Sequence, residues 1–128
     1  MKTSPEANSF KLSLTKFHEK SVNKVKVCAS YTGTKEHTNM VVIEIELLSG
    51  FELTSTSLDQ LENMRNIKKV EYDEKTHNLA LYFNEMKKEE TCFMFDQKEV
   101  IIVEDRKPAL AKIYDYYYQK DIMSIEYS

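Results

Sequence analysis

Alternation of apolar and polar residues is the main pattern along the chain. In SFKLSLTKF (residues 9–17), one phenylalanine and two leucines alternate with lysine, serine and threonine. The same period of two runs through VNKVKVCASY (22–31) and MVVIEIELL (40–48). Because successive side chains of a β-strand point to opposite faces, this period predicts strands with one buried and one solvated face. The polar stretch TGTKEHTN (32–39) predicts a hairpin loop between the second and third of these strands.

Six further segments have a strand-like composition and are separated by polar connectors. They are rich in β-branched and aromatic residues, which pack well on a pleated surface. About nine short strands at roughly ten-residue spacing predict an all-β fold, a β-sandwich of one domain over residues 9–128. The six segments are IKKVEYDE (67–74), NLALYF (78–83), ETCFMFD (90–96), EVIIV (99–103), ALAKIYDYYY (109–118) and IMSIEYS (122–128).

The segment TSTSLDQLENMRN departs from the strand pattern. Its Leu58, Leu61 and Met64 recur at the spacing of one helix face. We therefore predict a single short surface helix over residues 57–65, with its apolar side against the sandwich. A lone helix on a sandwich protrudes and is a natural contact surface.

Polar residues of the same segment support a helix start. Ser57 followed by Gln60 fits a capping box. Asp59 and Glu62 are expected near the positive N-terminal end of the helix, where negative charge is favoured. The residues expected to face water are Asp59, Glu62, Asn63 and Arg65.

Composition narrows the class of protein. The chain has 128 residues, a net charge of −3 and an isoelectric point of about 5.7. This balance argues against a nucleic-acid module, whose footprint is a basic field. Apolar runs such as Met40–Ile43 are far too short to span a bilayer. The N-terminus lacks the apolar core of a signal peptide. Residues 1–8 are expected to be a flexible leader or linker.

The sequence contains no catalytic or metal-binding motif. His18, His37 and His77 all lie in polar stretches without a nucleophile or a metal-ligand spacing beside them. We therefore expect no catalytic residues, no metal and no cofactor, and we interpret the chain as a non-enzymatic module. Two cysteines, Cys28 and Cys92, are compatible with either a disulfide or two free buried thiols.

Two clusters could contact a partner. The basic residues Arg65, Lys68 and Lys69 could dock an acidic protein, or they could be an ordinary solvated helix end and strand edge. The tyrosine-rich stretch YDYYYQKD (114–121) could be a binding platform or a wide amphipathic strand, and the period of two favours the strand. That strand would place Asp115 on the face of the apolar residue two positions before it. A hydrogen bond to a backbone N–H or a tyrosine hydroxyl is therefore predicted for its carboxylate.

Several stretches in order resemble the C-terminal receptor-binding domain of the alpha-macroglobulin family. This family includes protease-trapping macroglobulins, complement components and insect thioester-containing proteins. The resemblance covers nearly the whole chain from about Phe10, and its strongest block is Lys107–Ser128. The stretches are CASY (28–31), NM (39–40), SGF (49–51), the helix segment, KKVEYD (68–73), NLALYF (78–83), TCFMF (91–95) and KPALAKIYDYYYQKDIMSIEYS (107–128).

The resemblance implies a jelly-roll-like β-sandwich within a secreted or cell-surface protein of protease inhibition or innate immunity. Such proteins carry a reactive thioester in a neighbouring domain. In the protease-trapping members, this domain binds an endocytic receptor of the low-density-lipoprotein-receptor-related kind after activation, and the resemblance implies such a partner here. The alternative is a structural domain that packs on the thioester domain without a receptor of its own. An unrelated adhesion sandwich and an enzyme are less well supported, and no nucleic acid or membrane insertion is implied.

The resemblance also implies site residues. The protease-trapping members contact the receptor through two lysines four residues apart at the start of the helix, and the matching positions here are Ser55 and Asp59. Neither residue is basic, so Arg65, Lys68 and Lys69 are the residues that would replace the lysine pair in a basic docking surface. The family resemblance further implies a disulfide between the two cysteines, as in the complement-like and insect branches. The candidate residues for partner binding are Ser55, Asp59, Glu62, Arg65, Lys68 and Lys69.

Overall fold

The computed structural model describes residues 9–19, 22–36 and 38–128. In these residues, nine strands form two antiparallel sheets that face each other as a β-sandwich, and one short helix lies outside the sheets. The predicted all-β sandwich is therefore confirmed. The leader predicted for residues 1–8 and the histidine His37 lie outside the described residues.

The elements are numbered in chain order. The helix α1 (Ser55–Glu62) lies between the fourth and fifth strands. The strands are β1 (Phe10–Glu19), β2 (Val22–Tyr31), β3 (Val41–Glu46), β4 (Phe51–Leu53), β5 (Ile67–Asp73), β6 (Asn78–Phe83), β7 (Thr91–Glu99), β8 (Ala109–Asp115) and β9 (Ile122–Tyr127).

The strand order shows how the chain passes between sheets. The four-stranded sheet has the order β1-β2-β7-β4, and the five-stranded sheet has the order β5-β6-β3-β8-β9. The prediction of a hairpin loop at residues 32–39 is wrong, because β2 and β3 lie in different sheets. Turn-forming residues mark where a strand ends, but they do not determine which strand the next one pairs with.

The core lies between the two sheets and follows the predicted alternation. Val25 and Val27 of β2 are fully buried, and so are Ile43 and Ile45 of β3 in the opposite sheet. Full burial of such a side chain stabilises the fold by about 1.5–3 kcal/mol relative to exposure. The period of two therefore identified the inward face of these strands correctly.

Two strand predictions are wrong. Phe51–Leu53 forms a short edge strand that the sequence pattern did not indicate. The predicted strand EVIIV is absent, since β7 continues to Glu99 and the following residues pair with no strand. Instead, the N–H groups of Val100 and Ile101 both donate to the carbonyl of Gly50, which lies in the turn before β4. Gly50 has a φ of +83°, a conformation that favours glycine.

The helix begins earlier than predicted. Thr54 is its N-cap, and its hydroxyl accepts a hydrogen bond from the N–H of Ser57 at 3.2 Å. The capping box predicted from Ser57 and Gln60 is wrong, because the buried Ser57 hydroxyl accepts from the N–H of Asp96 in β7 at 2.7 Å. The first turn contains no acidic residue, so the predicted stabilisation of acidic residues by the positive helix end is also wrong. In the part of the chain that the structure describes, no helix has the length and apolar content needed to cross a membrane.

Candidate functional site

The helix presents three of the candidate residues to solvent. Ser55, Asp59 and Glu62 are exposed, while Leu61 is buried against the sandwich. The predicted orientation of the helix is therefore confirmed, and Asn63 and Arg65 beyond its end are also exposed. The helix contains no lysine or arginine, so its own surface offers an acidic partner no positive charge.

The two candidate lysines lie at an irregularity in β5. Ile67 pairs with Phe83 and Lys69 pairs with Tyr82, so Lys68 is an extra residue on this side of the ladder. Such a β-bulge redirects a side chain relative to its neighbours. As a result, the consecutive residues Lys68 and Lys69 are both exposed.

The charges of the two lysines are in different environments. The ammonium group of Lys69 lies 3.1 Å from a carboxylate oxygen of Glu71 and 5.8 Å from the ring centroid of Tyr82. The Tyr82 hydroxyl also donates to Glu71 at 3.0 Å, and these two hydrogen bonds, chiefly that from Lys69, lower the pKa of Glu71. By contrast, neither Lys68 nor Arg65 has a carboxylate within ion-pair distance among the described residues. Their positive charges are therefore available to a partner.

Two tyrosines cover part of the outer face of the five-stranded sheet. Val42 of β3 points outward in register with Tyr82 and Tyr114, yet it is fully buried. The Tyr114 hydroxyl donates to the carboxylate of Glu44. Burial, and then this hydrogen bond, raise the pKa of Tyr114 well above its ordinary value. These tyrosines therefore pack as the predicted strand requires.

The three tyrosines that follow are different, because β8 ends at Asp115. The Asp115 carboxylate accepts hydrogen bonds from the N–H groups of Tyr117 at 2.8 Å and Tyr118 at 3.0 Å. The predicted hydrogen bond of Asp115 is confirmed, but the predicted continuation of the strand through Tyr118 is wrong. A carboxylate that binds the N–H groups two and three residues later stabilises a turn in place of a strand. Tyr116, Tyr117 and Tyr118 are all exposed as a consequence.

The fold brings the exposed tyrosines next to the lysines of β5. The ring of Tyr116 lies 6.2 Å from that of Tyr82 and 5.2 Å from that of Tyr117, both in edge-to-face geometry. A cavity of about 350 Å³ is lined by Met40, Lys68, Lys69, Tyr82 and Tyr116. A neighbouring cavity of about 380 Å³ shares Met40 and Lys68 and adds Tyr117. We call this surface the tyrosine–lysine patch; it consists of Met40, Lys68, Lys69, Tyr82, Tyr116 and Tyr117.

These tyrosines and lysines are far apart in the sequence, where they form two separate candidate clusters. Tyr82 and Met40 were not candidates, and no local pattern joins residues 68–69 to residues 116–117. Tyr82 had one weak sequence signal: it is an aromatic residue on the polar side of its strand. The link between the lysines and the tyrosines depends on strand pairing across β5, β6, β3 and β8.

The disulfide lies on the other sheet. Cys28 and Cys92 are directly opposed in the β2–β7 register and are bonded, with Cα atoms 4.1 Å apart. The Glu90 carboxylate lies 3.7 Å from the Cys92 sulfur. Because the two sulfurs are bonded to each other, this group of three side chains lacks the thiolates that bind zinc.

Comparison with known proteins agrees with the resemblance seen in the sequence. A family model described as the A-macroglobulin receptor binding domain matches residues 36–128. Ovostatin from Gallus gallus is 37% identical over 99 residues, which are 77% of this chain. The match spans only 7% of the length of ovostatin. The chain therefore belongs to the alpha-macroglobulin receptor-binding domain family.

Proposed function

We propose that the chain is the receptor-recognition domain of a longer alpha-macroglobulin-like protein and acts without catalysis. Arg65 and Lys68 would contact an acidic receptor of the low-density-lipoprotein-receptor-related kind after activation of the parent protein. The observation that carries this proposal is the match of residues 36–128 to a receptor-binding domain. The exposed and unpaired charges of Arg65 and Lys68 among the described residues support it.

The chemistry of such a contact is the pairing of a lysine ammonium group with carboxylates. A charge-assisted hydrogen bond is shorter and about twice as strong as a neutral one. Because Lys68 need not break an ion pair within the described residues, its contact costs only hydration and side-chain entropy. Lys69 would first have to share its bond to Glu71, so we assign it a smaller part. Ser55, Asp59 and Glu62 of the helix carry no positive charge and would border the contact.

An extracellular location, secreted or on the cell surface, forms part of the proposal. The Cys28–Cys92 disulfide supports it, because structural disulfides persist mainly in oxidising compartments. Roles in protease inhibition or innate immunity would belong to the parent protein and its other domains.

The test is binding to immobilised calcium-loaded repeats of a low-density-lipoprotein-receptor-related receptor. We expect calcium-dependent binding that Lys68→Ala and Arg65→Ala each weaken by about tenfold or more, from the loss of a charged hydrogen bond. Lys26→Ala is the matched control, since Lys26 is an exposed lysine of the other sheet. Absence of calcium-dependent binding, or equal affinity of all three variants and the wild type, would contradict the proposal.

A second candidate function is structural packing on the neighbouring thioester domain. It is favoured by the segment after β7, where Val100, Ile101 and Ile102 are 49%, 64% and 83% exposed. Three consecutive exposed apolar residues are unusual in a domain that stands alone. Hydrogen exchange at residues 100–103 would test this role. Stronger protection of these amides in the full parent protein than in the isolated domain would support packing, and equal protection would exclude packing at this segment.

A further inference from the structure

We propose that the tyrosine–lysine patch is the docking surface for an acidic segment of the partner protein. A carboxylate of that segment would bind Lys68, while apolar parts would pack on the rings of Tyr116 and Tyr117. This inference rests on the proposed function, because it assumes a protein partner. It adds a half of tyrosine rings and the apolar Met40 side chain, which the basic residues alone do not indicate.

The exposure of the aromatic rings is the first support. Tyr117 is 71% exposed and Tyr116 is 43% exposed, although tyrosine rings gain free energy from burial. The Tyr117 ring has an edge-to-face contact with the ring of Tyr116. Tyrosine is enriched at protein interfaces and at the few positions that supply most of the binding energy. The pair therefore offers a partner a large apolar area at little conformational cost.

The turn that carries these rings is held in place before binding. Asp115 accepts two backbone hydrogen bonds, and the N–H of Tyr116 donates to the carbonyl of Met40 at 3.0 Å. The N–H of Asp121 donates to the carbonyl of Tyr118 at 3.0 Å and forms the next turn, and the N–H of Asp115 donates to the carbonyl of Asp121 at 3.3 Å and joins the ends of the connection. Because the backbone is already ordered, docking would lose less entropy than docking on an unconstrained loop.

The distribution of charge selects the chemistry of the partner. Lys68 is the positive group of the patch that has no ion-pair partner among the described residues, and it lines both cavities. Glu71 and Glu44 lie on the outer face of the same sheet and accept hydrogen bonds from tyrosine hydroxyls, and Glu85 lines the second cavity together with Lys68. Those carboxylates would repel a continuous polyanion such as nucleic acid. The patch therefore fits a protein segment with a few carboxylates next to apolar side chains.

The first experiment uses a synthetic peptide that contains glutamate and leucine residues, titrated into the isotope-labelled chain and followed by NMR. We expect amide shifts at residues 68–69 and 116–118. Tyr117→Ser and Lys68→Ala should each weaken the binding of the peptide about five- to tenfold. Tyr117→Phe keeps the ring and should bind nearly as well as the wild type. The tyrosine and lysine controls are Phe17→Ser, at an aromatic ring that is 47% exposed on the other sheet, and Lys26→Ala.

Shifts that scatter over both sheets, or equal losses for Tyr117→Ser and Phe17→Ser, would overturn the inference. An unchanged thermal midpoint for each variant would show that the fold is intact. The same variants measured against the receptor repeats separate the two proposals. Loss of receptor binding with Lys68→Ala but not with Tyr117→Ser would overturn the docking surface and leave the proposed function. Peptide binding at the patch without receptor binding would support the surface and refute the proposed receptor.

Discussion

A buried glutamine connects the two sheets, and its replacement gives a sharp test of the structure. Gln97 of β7 is fully buried. Its side-chain oxygen accepts from the N–H of Leu48 at 3.0 Å, and its amide lies 3.4 Å from the Tyr127 hydroxyl. That hydroxyl donates in turn to the carbonyl of Glu46 at 2.7 Å. The perturbation is Gln97→Leu, which keeps the approximate volume and removes both polar atoms.

The expected cost follows from the groups that lose a partner. Leu48 is fully buried, so its N–H would be left without an acceptor, at a cost of about 1–3 kcal/mol. The bond to Tyr127 is long, and Tyr127 keeps its bond to the carbonyl of Glu46, so its loss adds about 0.5 kcal/mol. We therefore expect Gln97→Leu to lower the free energy of unfolding by about 1.5–3.5 kcal/mol.

Urea unfolding followed by circular dichroism measures this change, since the chain contains no tryptophan. Lys98→Leu is the matched control, because Lys98 is the next residue and points to solvent on the opposite face. It should change the free energy of unfolding by less than about 0.5 kcal/mol. A Gln97→Leu variant as stable as the wild type would refute the role assigned to Gln97.

Three further predictions concern stability. Replacing Cys28 and Cys92 by serine should lower the free energy of unfolding by about 4 kcal/mol in the chain-entropy model, since the bond closes a separation of 64 residues; a denatured wild-type sample that titrates two free thiols would contradict the disulfide. Ser57→Ala should cost about 1–3 kcal/mol, because a buried serine accepts a β7 N–H, whereas Ser55→Ala at an exposed position should cost less than about 0.5 kcal/mol. Burial raises the pKa of the Tyr127 hydroxyl above that of an unfolded tyrosine. The stabilisation that the neutral hydroxyl gives the folded state is therefore complete below the unfolded pKa of about 10 and is lost as pH rises above it. Unfolding measured from neutral to alkaline pH should therefore show falling stability above about pH 10, with a smaller fall in Tyr127→Phe.

Local sequence patterns predicted much of the fold. The alternation at Val25, Val27, Ile43 and Ile45 identified the core face, because the two-residue repeat of a strand is a property of the local backbone. The resemblance to family sequences added the Cys28–Cys92 pairing, and the structure contains that bond.

The errors have a common cause. The segment EVIIV has strand composition, but only Glu99 joins β7, whereas Val100, Ile101 and Ile102 pair with no strand and are exposed. Serine is a common helix-cap residue, but the Ser57 hydroxyl accepts a hydrogen bond from an N–H of β7, and Thr54 caps the helix instead. In each case, a partner distant in the sequence decided between two local structures that the residues alone allow.

The same division applies to the surface that we propose for docking. The sequence by itself determined that this chain forms a β-sandwich with one helix and that Lys68 and Lys69 lie near water. Only the tertiary structure decided that Lys68, at the bulge of β5, lines one cavity with Tyr116 and a second with Tyr117. The physical reason is that alternation depends on neighbouring residues, whereas a bulge, a strand end and a shared cavity depend on hydrogen bonds and packing between distant strands.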